Sequence, residues 1–579
     1  MRHSTIANAV GILLASNRFL TRAQSPTVHN SNLNVTYTGV LYEGIETFYA
    51  IPYGQDTSPP NRFKNPIAYV PQAGSSFEAT SKGPACPQQH GAPFTPLYLS
   101  NVTLTSEDCL HLNVYRSAGT AANASLPVMI YVHGGSFIVG SKDELVIQPG
   151  GLIKQSVKME QPVVVVNINY RLGVFGFAQS KALSAEGNTN MGLRDQRMAI
   201  EWVRDNIAAF GGDPSSIEIL GQSSGGLAMG MQMLAYGGSQ GFSFQRVSAE
   251  SQIMEGGITG NFTLHAMERI VQPVGCNTSD LQSAATLSCL RNLSTNALLG
   301  AQIATNLSTP AANVGDEWLP FVDGDFLPAA PSELIAEGRF ANVTTMVGWC
   351  ENDGTFFVGT PTTEQDTYDF FKAYLPGMTT ANVEELLSLY PSSDFSANPS
   401  ANLSAQLYRA GRILRDILFT CQPINFGNAL QRAGQDVYYW TQNETMLEEV
   451  LVSLGTPGYG VIHTSNFAFE FHNLSHYNVD DFLYHPNGTD FALANRQSHS
   501  WAAFANHGAP SLAGQGTLDG WKPAYSTSGE IDIYIIGGPN EGLSAWNGSG
   551  ATNEALVAQK LPERCGFLNR PDIIVQLGY

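Results

Sequence analysis

The stretch IEILGQSSGGLAMG, residues 217–230, joins a short β-branched run to an apolar helix-forming run through a turn crowded with glycine. Within it Gly221-Gln222-Ser223-Ser224-Gly225 fits G-x-S-x-G, the pattern of a serine forced onto a sharp strand-to-helix bend. Such a bend demands an unfavourable backbone conformation at its apex. Side chains two residues before and after would collide with the turn and the adjoining strand. Ser224 as apex would need glycine at 222, where Gln stands, so Ser223 is the candidate nucleophile and Ser224 contributes its main-chain N–H. The helix that follows aims its first amides at whatever the serine attacks.

The surroundings of this turn constrain the fold. PVMIYVHGG (127–135) and PVVVVNINY (162–170) are short apolar runs ending in turn residues, as buried parallel strands do. In GLRDQRMAIEWVRDNIAAFGG (192–212), Met198, Ile200, Val203 and Ile207 keep helical spacing and Gly211-Gly212 mark a stop. The alternation is that of an α/β fold with a large, mostly parallel central sheet and helices on both faces, whose ligands bind at the carboxyl ends of the strands. Further strands are expected at 343–349 and 530–536. The regions 255–340 and 365–450 read as helical excursions on the one scaffold, so a single domain is expected over 24–579.

A second glycine-rich turn, HGGSF (133–137), falls at the same edge of the sheet. An ester carbonyl under attack becomes an oxyanion and needs donors already in place. Gly135 and Ser136 are assigned as those donors beside Ser224, and His133 is read as structural.

With 49 acidic against 29 basic residues, a net charge of −20 and a pI near 4.9, the chain is unsuited to binding nucleic acid through general electrostatics. The basic start and apolar run of MRHSTIANAVGILLASNRF fit a signal peptide over 1–23, and no later segment is apolar for long enough to span a membrane. Asn-x-Ser/Thr sequons stand at Asn34, Asn101, Asn123, Asn261, Asn277, Asn292, Asn306, Asn342, Asn402, Asn443, Asn473, Asn487 and Asn547. Each asks for an exposed acceptor, and as a set they favour secretion to the extracellular space. Seven cysteines cannot all pair, and none has the spacing of a zinc site, so no metal or cofactor is expected. Cys86/Cys109 and Cys276/Cys289 are close enough to staple local loops. Spacing leaves open whether Cys421 and Cys565 close a long one, with Cys350 free.

The ordered landmarks FYAIPYG (48–54), NRFKNP (61–66), SEDCLHLNVY (106–115), HGGSF, NYRLGVFGF (169–177), WVRDNIAAFGGDP (202–214), GQSSGG and WAAFANHGAP (501–510) resemble the type-B carboxylesterase/lipase family. This is an α/β-hydrolase group that includes cholinesterases and fungal lipases, and the resemblance covers nearly the whole chain after the leader. It implies a serine carboxylesterase with an acid and a histidine following the serine. The family's D-E-G-x-x-F context is matched by CENDGTFF, which puts Asp353 at the acid position with Glu351 as the alternative, and its G-x-x-H segment by GVIH, which makes His463 the base. The resemblance also implies disulfides Cys86–Cys109, Cys276–Cys289 and Cys421–Cys565, and internal ion pairs Arg62–Glu107 and Arg171–Asp195.

The expected activity is hydrolysis of neutral small-molecule or lipid esters. Gln222 stands where cholinesterases carry Glu, and the Cys86–Cys109 loop holds Phe94 and Tyr98 but no Trp, which implies poor use of choline esters. That loop, about two dozen residues and partly polar, is shorter than the lid of the fungal lipases and favours soluble or moderately long esters over a lipase or sterol esterase. An intact Ser223, Asp353, His463 set argues against a third possibility, a non-catalytic adhesion-type binding protein.

Overall fold

The computed structural model describes residues 25–91, 97, 102–308, 316–474, 485–525, 530–547 and 553–579. The expected leader, Phe94, Tyr98 and the sequon at Asn101 lie outside them, as does the side chain of Asn306.

The strands in chain order are β1 Thr27–Asn30, β2 Val35–Thr38, β3 Val40–Tyr42, β4 Ile45–Pro52, β5 Ser76–Glu78, β6 His111–Ser117 and β7 Leu126–Val132. They continue with β8 Val164–Ile168, β9 Gly212–Gln222, β10 Arg246–Glu250, β11 Thr344–Cys350, β12 Val437–Gln442, β13 Asp532–Ile536 and β14 Gly542–Ala545. An 11-stranded sheet runs β14-β13-β12-β11-β10-β9-β7-β8-β6-β4-β3, and β1, β2 and β5 form a small separate sheet. Every pairing from β13 across to β8 is parallel, and the strands at both edges turn antiparallel.

The interior strands are buried on both faces, which is why their sequences run apolar without alternation. Val128, Ile130 and Val132 of β7 pack into one core layer, whereas Met129 and Tyr131 pack into the other. The helix expected after β8 spans Met191–Asn206, with a short 3₁₀ turn carrying the chain to Phe210 before Gly211 ends it with φ +84°.

Among the parallel strands, two escape the apolar-run reading. β10, RVSAE, is mostly polar by composition yet central in the sheet. β12, VYYWTQ, lies wholly buried within the 365–450 region expected to be helical, so that region is an excursion only as far as the helix Cys421–Arg432. Its aromatic and β-branched composition suits a strand, but the long helices before it mask the signal.

Disulfides join Cys86 to Cys109, Cys276 to Cys289 and Cys421 to Cys565, and Cys350 is a buried free thiol. Arg62 Nε donates to Glu107 Oε2 at 2.8 Å and Arg171 Nε to Asp195 Oδ2 at 2.7 Å, all four side chains buried. Such pairs fix the geometry of the loops they join more than they add stability. Among the sequon asparagines, Asn473 differs from an exposed acceptor: it is 5% exposed and its amide donates to Leu145 O at 2.8 Å.

Candidate active site

The parallel strands deliver their carboxyl ends to one edge of the sheet, and the bend after β9 shows why glycine frames it. Ser223 adopts φ 60°, ψ −132° and caps the helix Ser224–Leu234. For a non-glycine residue such a conformation costs on the order of 1–3 kcal/mol and persists only where its surroundings enforce it. They do so tightly. A Cβ on Gly221 would lie 2.5 Å from Gly225 O, and one on Gly225 would strike Val132 O of β7. Ser223 N–H donates to Glu250 O at the end of β10, 2.8 Å away. Gln222 and Ser224 are buried on either side, which leaves Ser223 as the half-open position of the turn.

Asp353 and His463 come together from loops 110 residues apart. Nδ1 of His463 lies 2.5 Å from Asp353 Oδ1, and the two residues are 1% and 0% exposed. The other carboxylate oxygen of Asp353 accepts the Cys350 N–H at 2.8 Å, so the end of β11 sets its orientation. Between the two loops Asn352 acts as a clamp. Its N–H donates to Val461 O at 2.9 Å and its Oδ1 accepts Val461 N–H at 3.0 Å. Glu351 turns the other way, pairing with Arg412 at 2.5 Å and accepting Gln559 Nε2 at 3.0 Å. The rings of Phe357 and Phe419, with centroids 5.2 and 5.3 Å away, wall in the imidazole.

With Nδ1 engaged by Asp353, the second nitrogen of His463 faces the bend. There Nε2 lies 3.0 Å from Nε2 of Gln222. Among the described residues Ser223 Oγ makes no hydrogen bond to the ring in this conformation, so the structure brings the expected acid and base, Asp353 and His463, together and places the expected nucleophile next in sequence to Gln222, the ring's present partner.

HGGSF forms the facing wall. Gly135 has φ +105°, Ser136 +53° and Phe137 +55°, three successive residues in the left-handed region that favours glycine. Phe137 N–H donates to Ser224 Oγ at 3.2 Å, which ties this loop to the start of the helix. His133 is buried, stacks on Tyr170 at 4.5 Å and is pushed down to about 4 by burial, so it is a neutral packing group.

Some groups at the site carry no sequence motif. Asp316 shares hydrogen bonds with the Ser136 hydroxyl and the Glu255 carboxyl, and burial pushes it up to about 6. Behind the bend, Asn466 Nδ2 donates to Glu250 Oε2 at 2.8 Å and Glu470 Oε2 at 2.9 Å, while Trp501 Nε1 donates to Glu250 Oε1 at 2.8 Å. Burial raises both carboxyls of this pair, so at least one is neutral where an exposed glutamate would be charged. Asn466 lies three residues past His463 and Glu250 O holds the serine amide, so the network braces the base loop against the bend. Among the described residues no group of three His, Cys, Asp or Glu side chains could hold a metal ion, and no helix is long and apolar enough to cross a membrane.

The chain is similar to known proteins over most of its length. The model of the carboxylesterase family matches residues 27–541. A secreted lipase of Arthroderma benhamiae is 44% identical over 558 residues, covering 96% of this chain and 97% of the lipase. An inactive carboxylesterase-like protein of Byssochlamys spectabilis is 31% identical over 95% of both chains. Among solved structures, EstA of Aspergillus niger superposes with a TM-score of 0.75 at 22% identity, covering 96% of this chain and 99% of its own, a likeness of fold. The strained serine bend, the buried acid–histidine pair and these relationships together make the chain a carboxylic ester hydrolase of the carboxylesterase family, with the α/β-hydrolase fold.

Proposed function

We propose that the chain is a secreted serine esterase in which Ser223 is the nucleophile, His463 the general base and Asp353 its orienting acid. The buried contact between His463 and Asp353 at 2.5 Å, beside a serine held at φ 60°, carries this reading. His463 accepts the Ser223 proton as the hydroxyl attacks the ester carbonyl, while the N–H groups of Gly135, Ser136 and Ser224 hold the oxyanion. The alcohol leaves with that proton, and water repeats the cycle on the acyl-enzyme. Asp353 holds the tautomer and stabilises the imidazolium that forms. An inactive relative at 31% identity makes the retention of this whole set matter, because fold alone does not secure activity.

For the ester itself two readings have support. Gln222 in place of a carboxylate and the short, partly polar Cys86–Cys109 loop favour neutral, soluble or moderately long esters. Lipid esters are favoured by the 44% identity to a secreted lipase. A kinetic series of p-nitrophenyl esters from acetate to oleate, on wild type and Ser223→Ala, tests both. Turnover should vanish in the variant, and the chain length at which kcat/KM peaks separates esterase from lipase. Secretion is supported by the leader, the sequons and three disulfides.

A further inference from the structure

The lone pair that must receive the serine proton already has a partner. Gln222 is the last residue of β9, its side chain is fully buried, and its Nε2 lies 3.0 Å from Nε2 of His463. An amide nitrogen only donates. Because Nδ1–H of the ring is committed to Asp353 Oδ1, the facing Nε2 is the acceptor, so Gln222 donates to the neutral imidazole.

A protonated ring would set two N–H donors against each other across this contact. The remaining charged groups that face the ring act in the opposite sense: Asp353 through its direct hydrogen bond, and Asp316 through its charge from beside Ser136. The Cys350 thiol, next to Asp353, is kept neutral by burial, and Glu351 is occupied by Arg412 and Arg415. Phe357 and Phe419 cover the ring with uncharged surface.

We infer that Gln222 is a positioning residue for the hydrolysis, holding His463 neutral, in the tautomer that accepts at Nε2, against the two carboxyls that would protonate it. It competes with Ser223 for one lone pair and must yield when the hydroxyl attacks, so it sets the acidity at which the base is available. The inference rests on His463 being the base.

The test is the pH profile of kcat/KM from pH 3.5 to 8 for wild type, Gln222→Met and Gln222→Glu, using p-nitrophenyl butyrate with product read after quenching into alkali. Removing the donor in Q222M should move the rising acid limb to higher pH. Q222E places a carboxylate against the ring and should move it further, by about one pH unit or more, which is a loss of about tenfold relative to its own plateau on the limb. The midpoint is read independently of plateau height, and Q222M keeps the test open should a buried carboxylate prevent Q222E from folding. Folded Q222M with the wild-type midpoint overturns the inference. His463→Ala tested in parallel separates the two claims: if it is inactive while the Q222M midpoint is unmoved, the inference alone fails, and if it retains turnover, the assignment of the base fails.

Discussion

The carboxylate of Asp353 and the imidazole of His463 meet at 2.5 Å in a site nearly closed to water, whereas Glu351, two residues from Asp353, is drawn into an ion pair with Arg412. Neighbouring acids are thereby given separate tasks by the side of the loop each leaves from. Asp353→Asn should present the wrong tautomer to the serine and lower kcat by about 10³–10⁴-fold. Glu351→Gln should leave kcat within about threefold and lower Tm instead, because Arg412 and Arg415 lose a charged partner. Steady-state kinetics and thermal melts on both variants check the division. A loss of kcat in E351Q as large as that in D353N would reverse it.

The Asn352 clamp ties the acid loop to the base loop through two hydrogen bonds. Asn352→Ala removes the side-chain bond and keeps the backbone one. Small displacements of catalytic groups are costly, so kcat should fall by about 10- to 100-fold with KM little changed. A KM effect without a kcat effect would show that the clamp shapes binding.

Much of this candidate site is legible in the sequence, and the reason lies in backbone geometry. A serine on a strained bend can be made in few ways, so Gly221 and Gly225 disclose it, and HGGSF discloses its partner loop for the same reason. The acid and base had to be placed by resemblance, because nothing in CENDGTFF itself says which carboxylate faces inward. Gln222 was visible only as a departure from a carboxylate; its contact with His463 depends on how two loops pack. Asp316, Glu250 and Glu470 were invisible because their segments carry no spacing rule and their role comes from burial alone. For the fold, apolar runs revealed β7 and β8, whereas polar RVSAE hid β10 and flanking helices hid β12.

Glu218, buried on β9 and held by the Ser248 hydroxyl, is pushed up to about 8 by burial, from an ordinary value of 4.5. Between those values the folded state binds the extra proton, so this contribution is fully present below pH 4.5 and is lost as pH rises through about 8. Glu250 and Glu470, raised in the same direction, add to it. His111 and His133, both lowered to about 4 by burial, work the other way between about 4 and 6.5, so the decline is cleanest from 6.5 to 8. Glu218→Gln, a permanent mimic of the protonated form, should lose less stability than wild type over that interval. Parallel melting curves of the two proteins from pH 6.5 to 8 would contradict the assignment.

Asn473 is buried with its amide donated to two backbone carbonyls, whereas Asn34, Asn123, Asn261 and Asn342 are exposed. Peptide mass spectrometry after glycan release in heavy-oxygen water should find no label at Asn473 and label at exposed sequons. Appreciable label at Asn473 would mean that its segment is modified before it folds.

Intact-protein and peptide mass spectrometry after reaction with a fluorophosphonate probe reads the nucleophile itself. One adduct per chain is expected, on the peptide holding Ser223, with none in Ser223→Ala and very slow labelling in His463→Ala. An adduct on another serine, or ester turnover by a protein that the probe does not label, would contradict the account.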